Sequence, residues 1–185
     1  MISGSRTYVV PFDESHLENP RYISWLRDYE VIKTLNLLSY VDSPVTIEEL
    51  RQYVQSVSQS EQDLFFALHA LEGKEFIGTV RIAKIDPITQ SADVGVMIGE
   101  KSFWGKGLAT DILGAVCAHL FESRKMRKLT CGLMSVNPAM EKVFTRLGFK
   151  REGLFRKADY FEGEFHDHIY MGCFAEEFTL PDHAS

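Results

Sequence analysis

The sequence predicts one mixed α/β domain of the α+β type over residues 1–185, with its core across about residues 6–174 and a flexible C-terminal tail. Three observations predict it. Short apolar runs separated by turn residues fill 64–98, an apolar run passes through a glycine-spaced loop into a helical pattern over 94–121, and a run, a helix and a hairpin follow over 128–171. A chain of this length buries one sizeable core.

Taken in order, Thr7 to Phe12 reads as a strand ending near Pro11, and Asp13-Glu14-Ser15-His16 has the chemistry of a helix start. Tyr22, Ile23, Trp25, Leu26, Tyr29, Ile32 and Leu35 recur at helical spacing. Asn36 to Pro44 is polar and turn-rich, a loop. Thr46-x-x-Glu49 is a capping box that opens a helix through about Val57. Leu64 to Leu71 and Phe76 to Ile85 are strands joined by Glu72-Gly73-Lys74, a hairpin signal. Asp86-Pro87 ends the second, and Ala92 to Ile98 follows with no room for a helix, so the three form an antiparallel meander. Leu108, Ile112, Leu113, Val116, Cys117, Leu120 and Phe121 define the apolar face of the central helix. Lys128 to Val136 is a further strand. Asn137-Pro138 then starts a short helix that Gly148 stops. Glu152 to Tyr160 and Phe165 to Met171 make a last hairpin around Glu162-Gly163-Glu164, and the polar tail from Ala175 is expected to fray.

Composition narrows the function. Hydrophobic residues make up 45% and charged residues 25%, the ordinary balance of a soluble globular chain. A net charge of −6 argues against a nucleic-acid partner, which calls for basic stripes. Cys117, Cys131 and Cys173 are scattered through apolar runs without metal spacing, so they read as buried thiols. The N-terminus has no apolar signal segment and no run approaches a membrane span, so the expectation is a cytoplasmic protein with no membrane partner.

The stretch from Val94 to Thr110 organises the chain. Gly105 and Gly107 have no Cβ, so a ligand can approach the backbone closely. The first amides of the following helix are unpaired and carry partial positive charge, and Lys106 adds a formal one. Together these make an anion site, most often for phosphate. A Walker A loop fails, because Gly107 follows Gly105-Lys106 and Glu100 occupies the place of the first glycine. A dinucleotide fingerprint fails, because Thr110 stands where a small residue is needed and no acidic residue ends a second strand at the right distance.

Trp104-Gly105-Lys106-Gly107-Leu108-Ala109-Thr110 resembles the acetyl-CoA loop of the GNAT N-acetyltransferases, in the RimJ/RimL-like branch that includes ribosomal-protein N-terminal and amino-sugar acetyltransferases. Asn137, followed by Leu147-Gly148-Phe149, resembles the second motif of the same family. The likeness covers about residues 6–174. It implies a mostly antiparallel sheet of about seven strands, its central strands splayed, flanked by about four helices. It also implies acetyl-CoA as co-substrate, no metal, and a homodimer as one assembly it allows. By this resemblance Val96, Met97 and Ile98 offer backbone groups to the pantetheine arm, and residues 104–110 hold the pyrophosphate. An amide at the splay could also hold the oxyanion. Asn137 could bond the same arm, or serve only as a helix cap. Phe144 lies beside the cofactor where many members carry the tyrosine that protonates the leaving thiolate, and Met140 replaces a common serine.

Attack on a thioester needs a deprotonated amine. Asp93, at the start of the central strand, is the candidate base, with Asn137 as the second catalytic candidate. Trp25, Tyr160 and Asp167 are the acceptor-binding candidates. On the last strand, alternation puts His166 and His168 on one face and Asp167 on the other, and no third ligand points to a metal. No arrangement suggests a covalent intermediate. The expectation is therefore direct acetyl transfer, in a ternary complex, to a primary amine on an amino sugar or other small molecule. A protein N-terminus is the alternative acceptor. Phe144 and the want of a clear base motivate a reading of another class, an acyl-CoA-binding module without catalysis.

Overall fold

The computed structural model describes residues 1–35, 40 and 43–180. The loop expected at Asn36 to Pro44 falls mostly outside them, as does the end of the tail, residues 181–185. Eight strands form one sheet: β1 (Ile2–Ser3), β2 (Thr7–Pro11), β3 (Leu64–Ala70), β4 (Phe76–Asp86), β5 (Ser91–Ile98), β6 (Lys128–Met134), β7 (Lys150–Phe161) and β8 (Glu164–Phe174). Their order is β1-β2-β3-β4-β5-β6-β8-β7, antiparallel throughout except between β5 and β6. The sheet exceeds the expected seven strands by β1, a two-residue ribbon paired with Tyr8 and Val9.

Six helices are described: α1 (Glu14–Leu17), α2 (Pro20–Leu26), α3 (Tyr29–Ile32), α4 (Ile47–Ser58), α5 (Leu108–Glu122) and α6 (Pro138–Arg146). The helical spacing over 22–35 does not yield one helix. Arg27 ends α2, and the Asp28 side chain accepts from the Glu30 amide to restart the chain as α3. An N-cap residue inside a periodic run outcompetes continuation, because its carboxylate satisfies an amide that the helix would otherwise use.

Both faces of the sheet are covered, so β4 is apolar on both sides and buried along most of its length. α5 and α6 pack on one face, where Ile112, Leu113, Val116, Cys117 and Leu120 are buried against Val80, Ile82, Val94 and Leu129. Each such side chain contributes about 1.5–3 kcal/mol of transfer free energy. The α1–α4 layer covers the other face with Phe12, Leu17, Trp25, Leu26 and Ile32. The three cysteines are free and buried. No helix among the described residues is long and apolar enough to cross a membrane.

Two boundaries move. β6 stops at Met134 because the Asn137 amide closes a turn onto the Met134 carbonyl, 2.9 Å. The tail expected to fray from Ala175 instead packs as far as residue 180. Phe178 meets the Phe121 ring at 5.3 Å, and the Thr179 amide bonds the Leu147 carbonyl.

Candidate active site

β5 and β6 are neighbours for only three residues. Ser91, Ala92 and Asp93 face Lys128, Leu129 and Thr130, and beyond Asp93 β5 has no β6 partner. A cavity of about 380 Å³ occupies the gap. Val94 to Met97 line one side and Gly132 to Met134 the other. Asn137, Met140 and Phe144 of α6 line it as well. Toward the helical layer it meets Tyr22, Leu26, Thr34, Tyr40 and Tyr53, with Phe65 and Arg81 from β3 and β4.

Past β5 the chain makes a short 3-10 turn, Lys101–Phe103, and enters the glycine loop. Gly105 and Gly107 have φ of 72° and 73°, left-handed values that glycine adopts without penalty. Gly107 is the N-cap of α5 and no side chain caps that helix. The five other described helices are capped by Asp13, Asn19, Asp28, Thr46 and Asn137. The first amide bonded within α5 is that of Asp111, to Gly107. The amides of Leu108, Ala109 and Thr110 therefore stand at the positive end of the helix dipole for an anion to use. Two cations flank this point. Lys106 lies over the Phe103 ring at 5.1 Å, and a Cβ built on Gly107 would sit 3.2 Å from the Arg6 guanidinium. Asp111, one turn into α5, fastens the arrangement. Its carboxylate accepts from the Ser5 and Arg6 amides and the Ser5 and Thr7 hydroxyls.

The expected site residues divide. Val96, Met97, Asn137 and Phe144 meet at the cavity. Ile98 does not line it, and its carbonyl is taken by the Trp104 indole N–H at 2.7 Å, so Trp104 straps the loop onto the end of β5. Asn137 does two jobs: its Oδ1 caps α6 through the Met140 amide, and its Nδ2 donates to Thr34 Oγ1. Phe144 is 2% exposed and offers the cavity no proton. Asp93 lies at the last paired rung, outside the cavity lining. Thr130 Oγ1 donates to it at 2.9 Å, and burial pushes its carboxyl above the usual range.

The acceptor candidates sit elsewhere. Trp25 is buried against Phe76 and Gly99, behind Tyr22 and Leu26. Tyr160 is half exposed, on Phe165. Asp167 accepts from the Lys157 amide at 2.9 Å and does not line the cavity. Tyr22, from the helical pattern that holds Trp25, lines it, and so do Tyr40, Tyr53, Arg81 and His168, which sequence reasoning missed. Only the His166-x-His168 alternation pointed toward one of them.

An open sheet parted between its two parallel strands, with an uncapped helix start leading from the parting, offers a cleft for an extended arm and an anion site beside it. The profile of the family described as "Acetyltransferase (GNAT) domain" matches residues 6–150, and the chain belongs to that family. It is an acetyl-CoA-dependent N-acetyltransferase. It is 26% identical to "Probable N-acetyltransferase YjcK" of Bacillus subtilis over 173 residues, 91% of this chain and 93% of the relative. It is 26% identical to the ribosomal-protein-serine acetyltransferase of Escherichia coli over 145 residues, 78% of this chain and 76% of the relative. Among solved structures, spermidine N-acetyltransferase from Vibrio cholerae with CoA and spermine superposes with a TM-score of 0.82 at 17% identity, over 94% of this chain and 98% of the other. The RimL ribosomal L7/L12 acetyltransferase with CoA gives 0.80 at 23%, over 93% and 96%. At those identities the likeness is one of fold.

Proposed function

We propose that the chain acetylates the primary amine of a small, polyhydroxylated acceptor such as an amino sugar, by direct transfer in a ternary complex. The observation that carries this is the acceptor wall. Tyr22, Tyr40 and Tyr53 line one cavity, and no carboxylate is among its described lining residues. Burial pushes the Tyr22 and Tyr53 hydroxyls up, so these two stay protonated and serve as hydrogen-bond donors and acceptors. Ring faces suit the C–H surface of a sugar, and hydroxyls suit its hydroxyls. A polyamine would instead bring several positive charges to a wall whose described lining residues include Arg81 and no carboxylate. Arg81, held by Asp63 at 2.9 Å, favours an acceptor with an anionic substituent, as in a nucleotide-linked amino sugar.

On the donor side, the pantetheine arm lies along Val96 and Met97, against Phe144 and within reach of Asn137. The pyrophosphate rests on the amides of Leu108, Ala109 and Thr110, beside Gly105, Lys106 and Gly107. A second reading is kept by the likeness to the ribosomal-protein-serine acetyltransferase: the acceptor is a protein N-terminus. Thiol release from acetyl-CoA, followed with glucosamine, a nucleotide-linked amino sugar, spermidine and a Ser-initiated peptide, separates these. The amino sugars are expected to give the highest kcat/KM. Preference for the peptide establishes the second reading, and preference for spermidine refutes both.

A further inference from the structure

β7 is exposed along almost its whole length, with one fully buried exception, Asp159, 3% exposed. A break in register produces it. Phe155 pairs with His168 and Asp159 with His166, so residues 156–158 of β7 stand opposite Asp167 alone. Lys157 takes a left-handed φ of 54° in this bulge, and Asp167 holds it by accepting the Lys157 amide. Asp159 follows the bulge directly, opposite His166, and its Oδ2 lies 2.8 Å from His168 Nδ1. A buried carboxylate needs a charged or donating partner, and among the described residues His168 is placed to serve. With Nδ1–H given to Asp159, Nε2 keeps its lone pair. That nitrogen lies over Gly132, 2.5 Å from where a Cβ would be, and both residues line the cavity. Met134, the residue paired with His168, lies two residues beyond Gly132 on the β6 side of the parting.

We infer that His168, oriented by Asp159, is the base that takes the proton from the acceptor amine. The inference rests on acetyl transfer to an amine, and not on which amine. The bulge residue Asp167 is a positioning residue, one step behind Asp159.

The step balances as follows. Neutral His168 removes one proton from the acceptor ammonium and becomes an imidazolium facing the Asp159 carboxylate. The freed nitrogen pair forms the C–N bond to the thioester carbonyl carbon while the C=O π pair moves onto oxygen. Collapse restores C=O and breaks C–S. The proton shed by the new amide nitrogen ends on sulfur as the CoA thiol, and His168 returns its own proton to solvent. Other charged or titratable groups near the ring are Asp93 on β5, close enough to feel its charge, and Tyr170 on its own strand with ring centroids 4.8 Å apart, and Arg81 on β4 lines the same cavity.

Two arms test this on the full chain. Kinetically, H168Q is expected to lower kcat about 10²- to 10⁴-fold at pH 7, the ordinary range for a lost general base, with the KM for acetyl-CoA within about twofold. Its rate should climb with pH as the free amine becomes available without help. D159N, which keeps the shape but favours the wrong tautomer, should lower kcat and flatten the acid limb of the profile while acetyl-CoA still binds. H168Q activity within threefold of wild type across that range, in a folded protein, overturns the inference. The second arm needs no acceptor. In histidine-labelled protein, long-range ¹H–¹⁵N spectra at pH 8 should show His168 protonated at Nδ1 and bare at Nε2, switching in D159N, with a shift when acetyl-CoA is added. The opposite tautomer, or no response to acetyl-CoA, also overturns it. If no amine in the panel turns over, the acceptor reading fails while this arm still decides His168.

Discussion

Replacing Gly107 by alanine tests the donor loop. The residue has φ of 73°, where an L side chain costs about 1–2 kcal/mol, and the new Cβ meets only the Arg6 guanidinium at 3.2 Å, which can swing aside. For a chain of this size that is a fall in Tm of about 2–8 °C. Gly163→Ala is the matched control. Its φ is 89° in the β7–β8 turn, with nothing within 4 Å of the added carbon, so it carries the backbone cost without touching the loop. The two variants should lose similar stability. Only Gly107→Ala should lose acetyl-CoA affinity, because the methyl group holds the pyrophosphate away from the α5 amides. Forfeiting one charge-assisted hydrogen bond of about 1.5–3 kcal/mol weakens binding roughly 10- to 150-fold. Calorimetry with acetyl-CoA on both variants reads the difference, and Gly107→Trp should abolish binding. Equal affinity in wild type, Gly107→Ala and Gly163→Ala would falsify the assignment of the α5 N-terminus as the pyrophosphate site.

Other outcomes follow from the same geometry. Gly99→Ala puts a Cβ 2.1 Å from the Trp25 indole, so overpacking of about 1–3 kcal/mol and a raised amine KM are expected, with acetyl-CoA affinity little changed. Thermal melts and two-substrate kinetics measure both. Asp111→Asn breaks the four-bond clasp on the N-terminal turn and should lose about 1–3 kcal/mol at pH 7. Burial opposes ionisation of Asp111, but its hydrogen bonds outweigh burial and hold the carboxylate below the usual range. Its stabilisation is therefore present above the ordinary carboxylate value and lost as pH falls below that value through the lowered folded-state one. Urea midpoints of wild type and variant should converge as pH is taken below the ordinary carboxylate range. Tyr53→Phe keeps the ring and removes a hydroxyl, so the amino-sugar KM should rise about 2- to 10-fold and the acetyl-CoA KM should hold.

Much of the fold was legible because local chemistry and global pattern agree. The Thr46–Glu49 box, the Asn137-Pro138 start and the glycine-marked turns each sit where the structure uses them. The loop was legible for the same reason: bare glycines before an uncapped helix have few other uses. The acceptor side was not, and the reasons are geometric. Helical spacing placed Trp25 on a buried face, but which face of α2 looks into the cavity depends on the break at Arg27 and Asp28, and the cavity receives Tyr22 and Leu26. Alternation put His168 on one face of the last strand. It could not show the carboxylate nine positions back, because a regular continuation of the rungs Phe161–Glu164, Tyr160–Phe165 and Asp159–His166 sets Lys157, not Asp159, opposite His168. The bulge at 156–158 puts Phe155 opposite His168 instead, and Asp159 reaches the histidine from the neighbouring rung at His166. Asp167 looked like an acceptor ligand because it stands in a patterned position, and its use is to hold that bulge.

The parting of β5 and β6 also explains why proton transfer falls to the outer hairpin. On the acceptor-facing side, β5 carries Asp93, Gly95 and Met97, in step with Ala83, Arg81 and Thr79 of β4. The β6 side carries Thr130, Gly132 and Met134. Asp93 and Thr130 bond each other at the last rung, below the cavity. Past that rung both strands offer only glycine and methionine, so neither holds a group that can accept a proton. A base at that height has to come from the next strand out, and β8 supplies His168 over the bare backbone of Gly132. Gly95 should then be bare to make room for the reactants, since a Cβ there meets nothing within 4 Å. Gly95→Ala is a test in which stability and activity move apart. Relief of backbone entropy should raise stability by about 0.4–1 kcal/mol, while the methyl group intrudes between donor and acceptor and lowers kcat/KM by tenfold or more. A stabilised variant with undiminished kcat/KM would show that the reactants do not meet above Gly95.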